Sequence, residues 1–333
     1  MNLAIETEGL VREFKGGIRA VDGVDLQVHP GEVYGFLGPN GAGKSTMVRM
    51  LTTLLTPTAG RAVVAGHDVA DNPGAVRRVI GVALQDAAID PYMTGRELLR
   101  LQGVLHGLSR LDCNATAVRL LDRVGLTDAA DRRVGTYSGG MRRRLDLALA
   151  LVHEPVVLFL DEPTTGLDPT SRLALWQEVR RLNREGGTTV FLTTQYLEEA
   201  DQLAGRVGII DGGRIVAEGT PAELKAQVGD PWLVVVPADP TRCAAAQGAL
   251  ARFGPPVTTR EGTAAVRLPG GAAQMSEAVR VLDEAGIATV GLDLHQPSLD
   301  DVFVAKTGHR LEGEGEGAAA SGPPQRRGRR GRG

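Results

Sequence analysis

Nine residues, "GPNGAGKST" at 38–46, have the composition of a phosphate cradle. Gly38, Gly41 and Gly43 let backbone N–H groups converge on phosphate oxygens; Pro39, Asn40 and Ala42 complete the turn and Thr46 closes it. Lys44 carries a charge suited to the outer phosphates, and Ser45 a hydroxyl suited to Mg²⁺. The apolar run "VYGFL" (33–37) precedes the turn and the helical pattern "MVRMLTTLL" follows it, adding the positive N-terminal end of a helix. A plain glycine turn with a solvated lysine needs neither flank. The segment therefore reads as a nucleotide-binding loop.

Acidic chemistry enters at "VVLFLDEP" (156–163), where two adjacent carboxylates end an apolar strand. Asp161 suits an outer-shell or water-mediated Mg²⁺ contact, and Glu162 suits a base that polarises an attacking water. The competing reading is an acidic pair capping the next element. A further apolar run ends in two threonines at "VFLTTQYL" (190–197), as a buried strand does when it delivers its last side chains to a site. In "YSGGMRRRLDLALALVHEP" (137–155), Ser138, Gly139 and Gly140 open a helix whose apolar stripe is Met141, Leu145, Ala148, Leu149 and Val152. Serine beside bare glycine N–H groups at a helix start is a second anion site.

The "SGG" turn some 18 residues before the "DEP" strand resembles the signature of ATP-binding-cassette (ABC) ATPases, although Tyr137 and Met141 replace the usual flanking leucine and glutamine. The resemblance implies roles for further positions. Gln85 stands where the family senses Mg²⁺ and meets a membrane subunit. Asp168, in "GLD", stands in the loop that crosses to a partner's site. Phe14 occupies the position of the aromatic that stacks on adenine, or else belongs to the core. Gln195 stands where the family usually holds the γ-phosphate with histidine. Its amide donates hydrogen bonds but cannot titrate near neutral pH, so it either contacts phosphate without a proton switch or caps the helix "YLEEADQLA".

With "YSGGM", "TTQYLEEADQLAGRVGIIDGGRIVAEGTPAEL" and the late "PSLDDVFVAKTG", the chain closely resembles the ATP-binding subunits of daunorubicin/doxorubicin-type exporters through about residue 308. That likeness implies ATP and Mg²⁺ as cofactors and ATP hydrolysis as the reaction. Two cassettes then face head to tail, each ATP lying between one subunit's cradle and the other's signature. One chain carries one of each, so a second ATP-binding subunit is needed, a homodimer in the simplest case. The resemblance also implies a separate polytopic permease as docking partner, at the cytoplasmic face of the cell membrane, with a drug or other small hydrophobic compound as cargo. A soluble ABC ATPase acting on ribosomes or nucleic acid is the rival reading; its relatives generally carry paired cassettes or a long helical insertion, and neither is seen. A small-molecule kinase leaves the signature unexplained.

The elements that position these residues fall into three zones. Residues 1–229 alternate short β-rich runs with helical patterns, which predicts an α/β P-loop NTPase of ABC type with a mainly parallel sheet. Its strands are expected at 33–37, 79–84, 156–160, 188–193 and 207–210, with a helical subdomain over about 86–155. Thr220, Pro221 and Glu223 predict a capped helix before the linker "GDPW". Residues 230–308 read strand, helix, strand, strand, helix, strand, then a short helix. That order predicts a small α+β, ferredoxin-like accessory domain, with "VTT" and "AAVRL" as its middle strands flanking the turn "REGT". The Arg/Gly-rich tail, 309–333, is expected to be disordered.

Composition excludes other classes. The 333 residues carry a net charge of −3, which gives no reason to expect a nucleic-acid partner for the body of the protein. No run approaches the roughly 18 apolar residues of a membrane span, and the acidic N-terminus is unlike a signal peptide, so a soluble, intracellular chain is expected. Cys113 and Cys243 lack metal-ligand spacing.

Overall fold

The computed structural model describes residues 3–85, 89–260 and 262–309. The segment expected to be a disordered tail lies outside them, apart from His309.

The chain opens with an antiparallel hairpin, β1 (Ile5–Phe14) and β2 (Ile18–Val28), then enters the first core strand, β3 (Val33–Leu37). The helix α1 (Lys44–Leu51) follows the cradle. β4 (Ala59–Val64) and β5 (His67–Asp68) return to the first hairpin, giving a four-stranded antiparallel sheet in the order β2-β1-β4-β5. The sequence reading of a mainly parallel sheet does not cover this layer. Its two long strands are interrupted by register shifts, with Gly9 and Gly23 at positive φ, so no clean alternation marks them.

After α2 (Pro73–Val79) and β6 (Ile80–Ala83) come the helices of the inserted subdomain: α3 (Gly95–Leu105), α4 (Arg110–Arg123) and α5 (Gly139–Ala150). Thr94 and Glu97 form a reciprocal capping box on α3, and Ser109 caps α4. The chain then regains the core through β7 (Val157–Asp161), α6 (Pro169–Gly186), β8 (Thr189–Thr194), α7 (Leu197–Leu203), β9 (Arg206–Asp211) and β10 (Arg214–Gly219). These strands form a second sheet, β10-β9-β3-β8-β7-β6, parallel except for the β10–β9 pair. β3, β7 and β8 are wholly buried, which is why each reads as an unbroken apolar run. Phe191 of β8 centres the core, fully buried and within 5.7 Å, ring centre to ring centre, of Tyr34, Phe36 and Phe159.

α8 (Pro221–Ala226) has the expected Thr220 and Glu223 capping box. Beyond it lie β11 (Trp232–Pro237), α9 (Cys243–Leu250), β12 (Ala264–Arg267), α10 (Met275–Glu284) and β13 (Thr289–His295), forming a three-stranded antiparallel sheet in the order β12-β11-β13 with its own apolar core. The "VTT" segment is not a strand. Pro255 and Pro256 precede it and have no N–H to give a ladder, leaving a single bridge from Pro256 to Val266. The last helix, α11 (Leu299–Thr307), leaves that module and packs Leu299, Val302 and Phe303 against Leu197, Ala200, Val207 and Leu224 of the preceding unit.

Replacing Phe191 with alanine removes the ring that the other three aromatics pack on. A loss of about 3–5 kcal/mol in urea unfolding is expected.

Candidate active site

The cradle joins β3 to α1, and two of its glycines, Gly38 and Gly43, are sterically required. A Cβ on Gly38 would lie 2.3 Å from the Ile210 carbonyl, and one on Gly43 would lie 2.1 Å from that of Ala20. Gly43 also has φ 108, and Pro39 O accepts the Ala42 N–H at 3.2 Å to close the turn. The first N–H groups of α1 have no intrahelical acceptor and are free to donate to an anion in the turn. Lys44 is only 4 % exposed. Its ammonium donates to the carbonyls of Gly38 at 2.8 Å and Pro39 at 3.0 Å, and pairs with Glu162 Oε1 at 3.1 Å.

The parallel register delivers the acidic residues to the same edge. Leu37 pairs with Thr194, and Asp161 with Thr193, so the ends of β3, β8 and β7 lie side by side. Asp161 Oδ1 accepts from Ser45 Oγ at 3.2 Å and from Thr193 Oγ1 at 2.5 Å. Glu162 follows at φ 47, its N–H donating to Thr193 Oγ1 at 3.1 Å, while Thr165 Oγ1 donates to its Oε2 at 3.3 Å. A cavity of about 230 Å³ is lined by cradle residues including Asn40, Gly41 and Thr46, together with Gln85 and Glu162. The alternative of a merely capping acidic pair finds no support, since α6 takes its N-cap from Asp168 instead.

Gln195 sits half-buried directly after β8, beside the cradle through the Gly38 N–H to Thr194 O contact at 3.3 Å. It does not cap α7: Tyr196 is the N-cap, without a side-chain cap bond. Phe14 is elsewhere. It ends β1, 39 % exposed, with the Arg12 guanidinium 4.8 Å above its ring; Ala20 of the same hairpin is what lines the cavity.

The signature turn is not part of this cavity. Ser138 caps α5 and, like Gly139, is exposed; Gly139 lines an adjoining space of about 370 Å³ with Gln85 and Glu162. Gly140 must be glycine, as a Cβ would approach Ser171 Oγ to 2.6 Å. Ser171 in turn donates its N–H at 3.0 Å and its hydroxyl at 2.6 Å to Asp168. Those bonds hold the Asp168 carboxyl below its usual range and cap α6 beside Gly140. One chain thus leaves Ser138 and Asp168 exposed outside its own cradle cavity, with Gly139 in the adjoining space.

These observations meet in the comparisons with known proteins. Residues 21–165 match the family described as ABC transporter. The daunorubicin/doxorubicin resistance ATP-binding protein DrrA of Streptomyces peucetius is 50% identical over 310 residues, covering 92% of this chain and 93% of the relative. The daunorubicin resistance ATP-binding protein DrrA3 of Streptomyces coeruleorubidus is 49% identical over 305 residues, covering 92% and 96%. The chain belongs to the ABC transporter ATP-binding proteins of the daunorubicin/doxorubicin resistance family. Among solved structures, the dimeric post-hydrolysis state of the ATP-binding cassette MJ0796, bound to ADP and Pi, is 26% identical with a TM-score of 0.61, covering 65% of this chain and 98% of that one. This chain is accordingly an ATP-binding ABC ATPase, the nucleotide-binding subunit of a transporter.

Sequence reasoning did not single out Arg143, Asp146 or Glu199 of this ABC ATPase. All three lie on helices in charged stretches, and only packing distinguishes them from their exposed neighbours. Arg143 Nη1 donates to Asp146 Oδ2 at 3.2 Å, and Trp176 Nε1 to Glu199 Oε1 at 3.0 Å, tying α6 to α7. Burial pushes the Glu199 carboxyl up. Burial likewise pushes Asp146 up to about 6, with the Arg143 charge opposing. Among the described residues no group of three His, Cys, Asp or Glu side chains could hold a metal. A Mg²⁺ bound with phosphates needs only one or two protein oxygens, and Ser45 and Asp161 fit that need.

The Asp146 shift has a defined sign. Its folded pKa exceeds the unfolded value of about 4, so its ionisation destabilises the fold progressively between about pH 4 and pH 6. Asp146→Asn should gain stability over the unaltered chain by on the order of 2 kcal/mol between pH 4 and pH 7, measured by urea unfolding at both.

Proposed function

We propose that this protein is the ATP-hydrolysing subunit of an exporter, working as a homodimer docked on a separate polytopic membrane permease. The cargo proposed is a drug or other small hydrophobic compound, in keeping with relatives named for daunorubicin and doxorubicin resistance. The observation that carries the reading is the arrangement just described: Lys44, Asp161 and Glu162 converge at the sheet edge, whereas Ser138 and Asp168 are exposed and line no part of the cradle cavity. A second copy, turned head to tail, completes each site.

In the proposed reaction the backbone of 38–46 and the N-terminus of α1 hold the phosphates, with Lys44 on the outer ones. Lys44 then exchanges part of its contact with Glu162 for phosphate oxygen. Glu162 accepts a proton from the attacking water, and Gln195 donates from its amide to the γ-phosphate. Mg²⁺, held beside Ser45 and Asp161 and sensed by Gln85, would neutralise charge developing on the phosphates. Ser138, Gly139 and Gly140 of the second copy close on the γ-phosphate, and Asp168 crosses with them. Phe14, outside the cavity that Ala20 of its hairpin lines, we assign to the adenine on the family resemblance alone.

Residues 1–229 are proposed as the nucleotide-binding domain, with the helical subdomain at about 86–155. Residues 230–308 are proposed as a ferredoxin-like accessory and dimerisation domain, a reading supported by the order β12-β11-β13 and the Pro256 bridge beside β12, whereas the last helix of that span, α11, packs on the first unit instead. Attachment at the cytoplasmic face of the membrane is proposed to come from the permease; among the described residues no helix is long and apolar enough to cross a bilayer.

Glu162→Gln should bind ATP normally while turnover falls by about 10²–10⁴-fold, and an ATP-bound dimer should accumulate in light scattering. Hydrolysis at the unaltered rate refutes the assignment of the base. Gln195→Ala should lower kcat more than ATP affinity; identical kinetics would show that Gln195 does not touch phosphate.

A further inference from the structure

Arg143 lies in the second turn of α5, on the same helix that Ser138 caps, with a side chain only 11% exposed. Its guanidinium reaches the catalytic edge of the sheet. Nε donates to the Pro163 carbonyl at 2.9 Å and Nη2 to the Asp161 carbonyl at 2.8 Å; Nη1 donates to the Leu84 carbonyl. The first two acceptors bracket Glu162. The third directly precedes Gln85. One planar group therefore grips the backbone on both sides of the catalytic carboxylate and at the entrance to the Mg²⁺-sensing loop.

That grip matters because of the backbone it holds. Glu162 has φ 47, a left-handed conformation that persists for a non-glycine residue only when its surroundings impose it. Carbonyl oxygens are the handles by which such a conformation is imposed, and a five-donor fork engages several at once. Asp146, at 3.2 Å, balances the charge and orients the fork. Lysine at 143 keeps the charge but gathers its donors at one point, so it loses the bracket.

We propose that Arg143 is a positioning residue through which the signature helix sets the backbone of the same chain's Glu162 and Gln85. The inference rests on the reading above, in which Glu162 is the base and Ser138–Gly140 serve the nucleotide on the partner's cradle. In that arrangement each α5 touches one ATP with its first turn and steadies the base for the other with its second. The two composite sites are then coupled through a short stretch of one helix, a contiguous physical link of defined contacts.

The test uses the full chain with its permease where turnover requires it, comparing ATPase kinetics and equilibrium binding of a fluorescent ATP analogue. Arg143→Lys should lower kcat about 10- to 100-fold, the scale of a displaced catalytic group, with affinity for the analogue changed less than about 2-fold. Arg143→Gln serves the same purpose should the lysine variant fold poorly. The Arg143→Lys, Ser138→Ala double variant should lose less than the product of the single losses, because the two act along one link. Unaltered kcat in both Arg143 variants, or a fall matching the loss of folded protein or of affinity, overturns the positioning role. Strictly multiplicative losses overturn the coupling. A Glu162→Gln control separates the readings: its retained turnover would sink the base assignment itself, whereas its inactivity beside normal Arg143 variants sinks this inference alone.

Discussion

Two opposite charges, Lys44 and Glu162, meet 3.1 Å apart almost out of reach of water, and much of the molecule exists to make that tolerable. A buried pair repays its desolvation only with good geometry and with further bonds to the remaining donors and acceptors. Here the Gly38 and Pro39 carbonyls take hydrogens of the ammonium, and Thr165 donates to the far carboxylate oxygen. The cradle's glycines let those carbonyls turn inward, while the parallel register places Glu162 opposite the cradle. An anion entering the cradle competes with Glu162 for the Lys44 ammonium, and the bonds around the pair hold both charges in place for that exchange.

The architecture divides the work between rigid and adjustable parts. Fully buried strands carry the cradle and the carboxylates, and their aromatic core around Phe191 fixes their relative heights. The helices α3, α4 and α5 carry the signature and share a core with α6 and β7. Polar bonds supplement that shared apolar core. Ser171 joins Asp168 to the neighbourhood of Gly140, and Trp176 joins α6 to the buried Glu199 of α7.

The legible parts of the sequence were those where local chemistry decides structure. The cradle, the strands ending at Asp161 and Thr194, and the Thr220 cap all announce themselves, since burial on both faces or a capping bond acts within a few residues. The antiparallel sheet was obscured because bulges around Gly9 break its alternation. "VTT" has the composition of a strand, but the two prolines before it lack the N–H groups of a ladder and leave it outside the sheet. Arg143 is the middle member of three successive arginines, and no local pattern separates it from Arg142 or Arg144. Its partners lie 18, 20 and 59 residues away, so only the tertiary fold reveals what it does.

The return of α11 to the first unit bears on how the molecule can be divided. Phe303 and its two neighbours roof a greasy floor made by Leu197, Ala200, Val207 and Leu224, although the motifs themselves are complete some eighty residues earlier. Cutting the chain after the linker would bare that floor beside the very helix that follows Gln195. The packed unit that carries the motifs is therefore discontinuous along the polypeptide: the cassette plus a distant lid, with the small three-stranded module threaded between them.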